Sequence, residues 1–507
     1  MEPFSKQVNF RKNKKRVLFL IKSERNQRFG ILSLSAFLKE RGHILDYVFI
    51  NHKDELPKVL DKIKSFQPAY LAISAMSGEV VFYLSAIKKV KEIYPDLYVV
   101  MGGPHPTFDK SIIENPFIDA ICSGEGEEAF AEFLELHPDG DYLSIRNFSF
   151  VIDQSKVINN PLRPLVNINT LPMPDYDFFP RQSGDRIVTF ASRNCVYRCT
   201  YCFNRDYAKK YKNVGVKQIY SVMEVDKFLT MLKYIKDKWE GEFNYFHFMD
   251  DVFPIQKDWL KEFSERYSKE IGIPFQVGLN PVMIREPIIA MLAKAGCHKM
   301  NFAIESGSER IRNEIMIRPT VTNEKMIELC RIIRKHGIYT VSQNIMMSPT
   351  ETLEEAKQTV DLNIDCKVNN ASTSKFQPYP GTAMAKFAFE KNLVKNGNIL
   401  EMLPENYHHE SILKFSKKDE IGMSNLVKLF SFTIRFPMMK NFVFAMLPFE
   451  RLEKLFQRID DQFWMVYTHR PSKTIIQNKR WVEFKQLMLF IKCLIIPMQK
   501  EKFIHYG

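Results

Sequence analysis

No stretch of this chain reaches the roughly 18 to 20 consecutive apolar residues that a membrane-spanning helix needs. Met1 to Arg16 is polar and basic, with no apolar h-region after it. No secretory signal is therefore expected. Cysteine is sparse, with 8 in 507 residues, and five of them are scattered. That excludes a disulfide framework and points to a reducing interior, so the expected location is cytoplasmic. Internal repeats and low-complexity tracts are absent. Acidic residues fall short of basic ones, leaving a net charge of +13. Basicity alone would suggest nucleic acid or an anionic membrane. Lys-rich solvated helix faces are the plainer reading, so nucleic acid is not an expected partner. An apolar fraction of 45% and a charged fraction of 26% are ordinary for a globular protein. The length suggests about three domains.

What is present is concentrated at Ser192-Arg-Asn-Cys195-Val-Tyr-Arg-Cys199-Thr-Tyr201-Cys202, a C-x3-C-x2-C run. Three close thiolates can hold three irons of a 4Fe–4S cluster. The fourth iron then has no protein ligand and is a chemical site, as an open position is in catalytic zinc enzymes. A ferredoxin closes its cluster with four Cys, and the next Cys downstream is Cys297. Three unrelated core thiols, or a structural zinc site short of one ligand, are the alternatives. With Tyr201 just before the third Cys, the run resembles that of the radical S-adenosylmethionine (SAM) enzymes. The resemblance implies that SAM chelates the open iron and is split reductively to a 5′-deoxyadenosyl radical.

The surrounding pattern is α/β. Strands are expected at 17–21, 44–50, 70–74, 98–101 and 118–122, alternating with helices, as in a doubly wound, Rossmann-like parallel sheet. Ligands bind such sheets beyond the carboxyl ends of the strands. A hairpin at 148–158 and a Pro-rich stretch with Pro161, Pro164, Pro172, Pro174 and Pro180 read as a connection. Alternation then restarts, with strands at 187–191, 245–249, 275–278, 299–304, 340–347 and 374–377. Six strands with intervening helices suggest an incomplete (βα)6 barrel, whose chemistry belongs at the strands' carboxyl ends. The expected division is a basic tail over 1–15, a Rossmann-like domain over 16–145, and a hairpin and linker over 146–184. A barrel over 185–385 and a helical C-terminal region over 386–507 follow.

The first domain resembles the cobalamin (B12)-binding domain of B12-dependent radical SAM proteins. The likeness rests on Gly102-Gly103-Pro104-His105-Pro106-Thr107 and Gly124-Glu125-Gly126-Glu127. It implies that Ser74, Met76, Ser77, Gly102, Gly103, His105, Thr107, Gly124 and Glu125 hold cobalamin. A hydrogen-bonded loop former is the plainer reading of His105 taken by itself. The D-x-H-x-x-G run of cobalamin mutases is absent from 22–30, so no His of that loop ligates cobalt. Arg25 and Arg28 there read as corrin contacts or as solvated charge. By the same resemblance, Tyr201, Asp250, Asp251, Glu305, Ser306, Arg318 and Asn344 contact SAM. Asp250 and Asp251 alternatively cap the next helix, and Ser306 or Ser308 can be an N-cap. Arg318 is expected to fork onto the SAM carboxylate, so that Arg318→Lys would leave stability nearly unchanged. Asn344 to Glu351 lacks the glycines of the family's fifth-strand segment. Tyr379, after the sixth strand, faces the substrate or packs.

The resemblance implies three cofactors: a 4Fe–4S cluster, SAM and cobalamin. It also implies transfer of methyl from methylcobalamin to an unactivated carbon after hydrogen abstraction by the deoxyadenosyl radical. A ring-forming or oxidative enzyme with the same cofactors is the alternative. A tRNA methylthiotransferase and a non-enzymatic iron–sulfur sensor are remoter ones, and the first domain's single Cys122 weighs against the former. Expected partners are a small-molecule or lipid substrate and an electron donor such as flavodoxin or ferredoxin. The amphipathic stretch 485–497 suggests peripheral membrane contact through the C-terminal region.

Overall fold

In a computed structural model the chain is described over residues 14–467, apart from 23–27, 154–155, 182–183, 319–320, 398 and 404–409. The segment 1–13, Arg25 and the stretch 485–497 lie outside the described residues. The chain divides into two compact units. Residues 1–182, 207–218 and 398–405 form one, and 183–206, 219–397 and 406–507 the other. No helix among the described residues is long and apolar enough to cross a membrane.

The first unit is built on β1 (Arg16–Lys22), β2 (Ile44–Ile50), β3 (Tyr70–Ser74), β4 (Tyr98–Gly102) and β5 (Ala120–Cys122). These run parallel in the order β2-β1-β3-β4-β5. Between them lie α1 (Phe29–Glu40), α2 (Leu56–Phe66), α3 (Val80–Ile93) and the short α4 (Pro104–Phe108); α5 (Glu127–Leu136) follows β5. Val17 to Ile21 are all buried. A strand covered on both faces reads as a continuous apolar run, which is why β1 was legible.

The hairpin is part of this sheet and not of a linker. Its strands β6 (Phe148–Asp153) and β7 (Lys156–Asn159) extend the sheet antiparallel beyond β5. Phe148 and Phe150 stack with Phe133 of α5 at centroid distances of 5.0 and 6.0 Å. The Pro-rich stretch is likewise a strap laid on this unit. Its apolar residues Ile168, Leu171, Tyr176 and Phe178 are buried. Phe178 meets Phe19 and Tyr47 edge-on, and Asp175 accepts from Ser35 Oγ and Lys39 Nζ. Proline spacing alone could not reveal those anchors.

The second unit holds six parallel strands in sequential order, an open barrel as expected. They are Arg186–Thr189, Tyr245–Phe248, Phe275–Leu279, Cys297–Glu305, Tyr339–Met346 and Asn370–Lys375. Helices α7 (Val225–Lys238), α8 (Lys257–Glu270), α9 (Glu286–Ala295), α10 (Asn323–Lys335) and α11 (Leu353–Asp365) follow the strands in turn. Ring packing of Phe228, Phe248, Phe263 and Phe275 joins α7 and α8 to the second and third strands. The sixth strand begins four residues earlier than the sequence suggested. It reads Asn-Ala-Ser-Thr-Ser-Lys, too polar to show as an apolar run. A helix over Phe203–Lys212, α6, was also missed, because its buried stripe of Tyr207, Ala208 and Tyr211 is short and set among Asn-Arg-Asp and three Lys. Helical structure dominates after the barrel: α12 (Ala383–Glu390), α13 (Ile399–Met402), α14 (Lys417–Arg435), α15 (Lys440–Met446) and α16 (Glu453–Tyr467). Met423, Leu426, Leu429 and Phe430 of α14 pack with Leu353, Val360 and Ala371, so α14 shares the core of the barrel's last strands.

Candidate functional site

The Cys loop follows the first barrel strand, at its carboxyl end. Asn194 turns the chain with φ +64°, and its Nδ2 donates to Ile219 O at 3.0 Å. On the far side, Thr200 N donates to Met316 O at 2.9 Å and Thr200 Oγ1 to Ile315 O at 2.6 Å. The loop is thus tied to the segment after the fourth strand. Cys195 and Cys199 are buried and Cys202 is half-buried. Burial pushes the Cys195 thiol up to about 11 and the Cys202 thiol up to about 12. Amide donors nevertheless approach two sulfurs, Tyr197 N at 3.4 Å from Cys195 Sγ and Asn204 Nδ2 at 3.6 Å from Cys202 Sγ. Such donors stabilise a thiolate once iron displaces the proton. Among the described residues no three His, Cys, Asp or Glu side chains converge on a single ion. A cubane asks for something different, one thiolate per iron. Three partly sheltered thiols on one short loop, with N–H groups on the sulfurs, fit that requirement.

Beside the loop, Tyr201, Glu305 and Arg318 form one cluster. Arg318 Nη1 donates to Glu305 Oε1 at 2.6 Å and to Tyr201 Oη at 2.8 Å. Tyr201 Oη donates to Glu305 Oε1 at 2.9 Å, and Arg318 Nη2 to Ala303 O at 3.1 Å. The Arg318 side chain is 2% exposed and that of Glu305 11%. Burial works against the guanidinium, yet Tyr201 and Glu305 keep it charged, and burial raises the Tyr201 hydroxyl far above its usual range. Glu305 adopts φ +65° at the strand end. The three expected SAM residues are therefore brought together, but both terminal nitrogens of Arg318 are engaged within the protein, Nη1 by Glu305 and Tyr201 and Nη2 by Ala303 O. This argues against the expectation that Arg318→Lys would leave stability nearly unchanged. A buried guanidinium paired with a carboxylate is part of the fold as well as of any site.

Asp250 and Asp251 follow the second strand. Asp250 Oδ1 accepts from Ala191 N at 2.9 Å and Ser192 Oγ at 2.6 Å, while its buried Oδ2 has no hydrogen-bond partner. Burial pushes Asp250 up to about 7 against those two donors. Asp250 thus bridges to the strand that launches the Cys loop and does not cap α8, whose N-cap is Gln256. Ser306 faces helix α11. Its Oγ accepts from Ser308 N at 3.2 Å, as an N-cap does, and Gly307 N donates to Thr359 Oγ1 at 2.8 Å. A side chain on Gly307 would collide with the backbone of Gln358. Asn344 is the expected SAM residue that the structure sets apart. Its Nδ2 donates to Ser342 Oγ and Ser372 O, and its Oδ1 accepts from Asn363 Nδ2 of α11. Those bonds commit the amide to the helix-facing side of the strand. Tyr379 is half-buried, its carbonyl accepting from Thr382.

In the first unit, the loops after β3, β4 and β5 converge. Ala75 N donates to Gly102 O, His105 N to Ala75 O, and Gly124 N to Thr107 Oγ1, at 2.9, 3.0 and 2.9 Å. Gly103 has φ +93°, and a Cβ there would lie 2.8 Å from Ser74 Oγ and 2.9 Å from Ala75 N. His105 is fully buried, with Nδ1 3.1 Å from Ser77 Oγ and no partner at Nε2. Met76 is exposed beside them. Glu125 is drawn the other way, accepting from Val166 N of the strap at 2.7 Å. A tight glycine cradle and an unsatisfied buried ring nitrogen suit a bound polar macrocycle. Sequence reasoning missed what holds the Met76 loop. Arg28 is neither solvated nor a free ligand arm; it is buried and forks onto Glu79, whose Oε2 also accepts from Met76 N at 3.2 Å. Lys22 O accepts from Arg28 Nη2 at 3.0 Å, so one guanidinium pins the β1 and β3 loops.

Comparison with known proteins follows the same division. A model described as the radical SAM superfamily matches residues 190–362, and one described as the B12 binding domain matches residues 25–134. A Pyrococcus horikoshii protein named an uncharacterized methyltransferase is 30% identical over 347 residues, covering 66% of this chain and 72% of that one. The chain belongs to the B12-binding radical SAM family. Another member of that similarity group is an anaerobic magnesium-protoporphyrin IX monomethyl ester cyclase from Rubrivivax gelatinosus, 23% identical over 74% of this chain and 72% of its own. The fold is shared with the cobalamin-dependent SAM radical enzyme OxsB in its apo form, at TM-score 0.67 and 15% identity over 97% of this chain and 82% of that one.

Proposed function

We propose that this member of the B12-binding radical SAM family is a methyltransferase that acts on an unactivated carbon of a small molecule or lipid. The observation that carries the reading is the Cys195–Cys199–Cys202 loop beside the Tyr201–Glu305–Arg318 cluster, in a chain that also carries a B12-type sheet with the Gly103 cradle. The cluster and SAM supply a 5′-deoxyadenosyl radical when bound, and cobalamin supplies the methyl group.

The chain's own share is binding and orientation. Cys195, Cys199 and Cys202 hold the cluster. The buried Oδ2 of Asp250 has no hydrogen-bond partner, which supports a role for it as acceptor from the amino group of SAM, with Asp251 next in sequence. Glu305, held by Arg318 and Tyr201, presents its remaining acceptor capacity to a ribose hydroxyl. Ser74, Met76, Ser77, Gly102, Gly103, His105, Thr107 and Gly124 surround cobalamin. An electron donor of the flavodoxin or ferredoxin type supplies reducing equivalents. The methyltransferase name of the 30%-identical relative supports methyl transfer.

The similarity to the Rubrivivax gelatinosus cyclase favours one other reading, ring formation without methyl transfer. Product counting separates the two. Protein reconstituted anaerobically with iron, sulfide and cobalamin is incubated with SAM, reductant and a panel of candidate substrates. Methyl transfer yields one S-adenosylhomocysteine and one 5′-deoxyadenosine per product, with label from methyl-labelled SAM in the product. Turnover that yields 5′-deoxyadenosine without S-adenosylhomocysteine contradicts the methyltransferase reading.

A further inference from the structure

The inward face of the barrel carries a neutral hydrogen-bonding wall that none of the cofactor assignments above uses. Successive residues of a strand point to opposite faces. Phe246, Phe248, Phe275 and Val277 are buried, and ring contacts tie Phe248 and Phe275 to α7 and α8. Their alternates His247 and Gln276 therefore face the interior of the barrel, as does Asn301 of the fourth strand, which joins the two. Gln276 Nε2 donates to Asn301 Oδ1 at 2.8 Å, and Asn301 Nδ2 donates to His247 Nε2 at 3.4 Å. Burial, with the charges of Arg186 and Lys299, lowers the His247 ring to about 3, so it is neutral in this chain of bonds. The outer ends of the chain, His247 Nδ1 and Gln276 Oε1, are buried without a partner, which ordinary cores avoid. A carboxamide has two N–H donors and two acceptor lone pairs. Asn301 uses one of each and keeps one of each. Reversing both amides and the ring tautomer leaves the same remainder. His247 is 8% exposed and Gln276 4%, whereas Asn301 is half-buried. Two buried side chains thus fix the orientation of a third that a ligand can reach.

The rest of the wall has the same character. On the fifth strand Ser342 and Asn344 bond to Asn363 of α11, so Gln343 between them faces inward. On the sixth, Ala371 belongs to the core with α14, so Ser372 faces inward. Gln343 pairs in register with Ser372 on one side and Ala303 on the other, and both Gln343 and Ser372 are exposed. Gly278 and Ala303 leave room beside Asn301; a Cβ on Gly278 would meet nothing nearer than the Asn301 Cβ at 3.8 Å. The inward positions from the level of Asn301 up to Glu305 on the fourth, fifth and sixth strands are uncharged. Lys299 lies on the other side of Asn301, toward the amino ends of the strands and over the ring of Tyr245, and Glu305 is held by Arg318. Asn301 precedes Glu305 by four residues, about 13 Å along the strand. That interval suits a small organic group lying between the Asn301 amide and the carboxyl ends of the strands. A carboxylate or phosphate there would be drawn out of water with no counter-charge on the wall, which is costly. A group that donates and accepts at adjacent atoms matches what Asn301 has left.

We infer that Asn301 and Gln343 receive an uncharged, amide-type group of the substrate inside the barrel, with Gln276 and His247 as positioning residues that hold the Asn301 amide. The inference rests on the enzyme reading above for the presence of a substrate in the barrel, but its test needs no turnover. The probes are benzamide and benzoate, which share a ring and differ in the group that the wall would read. Their binding to the full-length protein is measured by saturation-transfer NMR titration. Benzamide should bind about tenfold more tightly than benzoate. Asn301→Asp keeps the shape and removes both N–H donors, and it should weaken benzamide about tenfold. Gln276→Leu should reduce the preference for benzamide over benzoate, a readout that a purely structural role would leave alone. Gln343→Leu changes an exposed side chain and should also weaken benzamide, so it decides if the buried variants do not fold. Equal or tighter binding of benzoate overturns the inference and gives the site to an anion met by Lys299. Absence of benzamide binding, or benzamide binding unaltered in both Asn301→Asp and Gln343→Leu, overturns it as well. Methyl transfer without amide selectivity removes this inference alone, and amide selectivity without methyl transfer removes only the reaction proposed above.

Discussion

Removing Arg318 tests whether the Tyr201–Glu305–Arg318 cluster is closed as described. In Arg318→Met the guanidinium disappears and Glu305 is left with the Tyr201 hydroxyl as its hydrogen-bonding partner within that cluster. The two charged side chains are 2% and 11% exposed, so water cannot replace the lost partner fully. Breaking a buried ion pair on one side costs about 3–5 kcal/mol. Arg318→Met/Glu305→Gln removes both charges and should recover part of that loss, as buried pairs replaced on both sides often do. Tyr201→Phe removes one donor and one acceptor bonded to charged groups, a smaller loss of about 1.5–3 kcal/mol. The assay is urea unfolding of the anaerobically purified chain, read by circular dichroism, with SAM binding measured on the same samples. The expected order of stability is wild type, Tyr201→Phe, the double variant, then Arg318→Met. An Arg318→Met protein that keeps wild-type stability but loses SAM binding would return Arg318 to the SAM carboxylate and refute the closed cluster.

Three further outcomes follow from the geometry. Gly103→Ala should weaken cobalamin binding, read by absorbance titration, because an L residue at φ +93° costs roughly 1–2 kcal/mol and its Cβ would meet Ser74 and Ala75; unaltered binding would remove the cradle from the site. Acid should destabilise the chain through His43 and His247, which burial lowers to about 4 and about 3. Both are neutral when folded and take up a proton near pH 6.5 when unfolded, so their stability contribution is present above pH 6.5 and lost as pH falls toward 4. Each should cost about 2 kcal/mol between pH 7 and 5, and His247→Gln should flatten the pH dependence of urea unfolding; an unchanged slope would mean His247 is not buried neutral. Finally, Glu79→Gln should loosen the Met76 loop by weakening the Arg28 fork, raising protease sensitivity near Met76 without cobalamin, whereas a resistant loop would assign its order to other contacts.

Much of this architecture was legible because it is written in apolar runs. Val17–Ile21 and Tyr70–Ser74 are covered on both faces and show as unbroken hydrophobic strings. The Cys loop was legible because its ligands are adjacent in sequence. What escaped was long-range and polar. The sixth barrel strand, Asn370–Lys375, presents Ala371, Thr373 and Lys375 to the protein's interior and carries no apolar alternation. The strap over 160–180 looked like a spacer because proline dominates it, while the burial of Phe178 depends on Phe19 and Tyr47, more than a hundred residues away. Side-chain direction was the other limit. Asn344 sits in the expected segment, yet its amide points to Asn363 on α11. Arg318 and Glu305 were both singled out, and nothing in their spacing indicated that they would pair with each other.

The central claim is that Cys195, Cys199 and Cys202 hold an open-iron cluster that cleaves SAM. Its most direct test is 5′-deoxyadenosine formation by the full chain after anaerobic reconstitution with iron and sulfide, with SAM and a strong reductant supplied. The wild-type chain should bind about four irons, as one 4Fe–4S cluster requires, and release 5′-deoxyadenosine, whereas Cys195→Ala, Cys199→Ala and Cys202→Ala should each release none. Full 5′-deoxyadenosine production by any of the three variants would contradict the account.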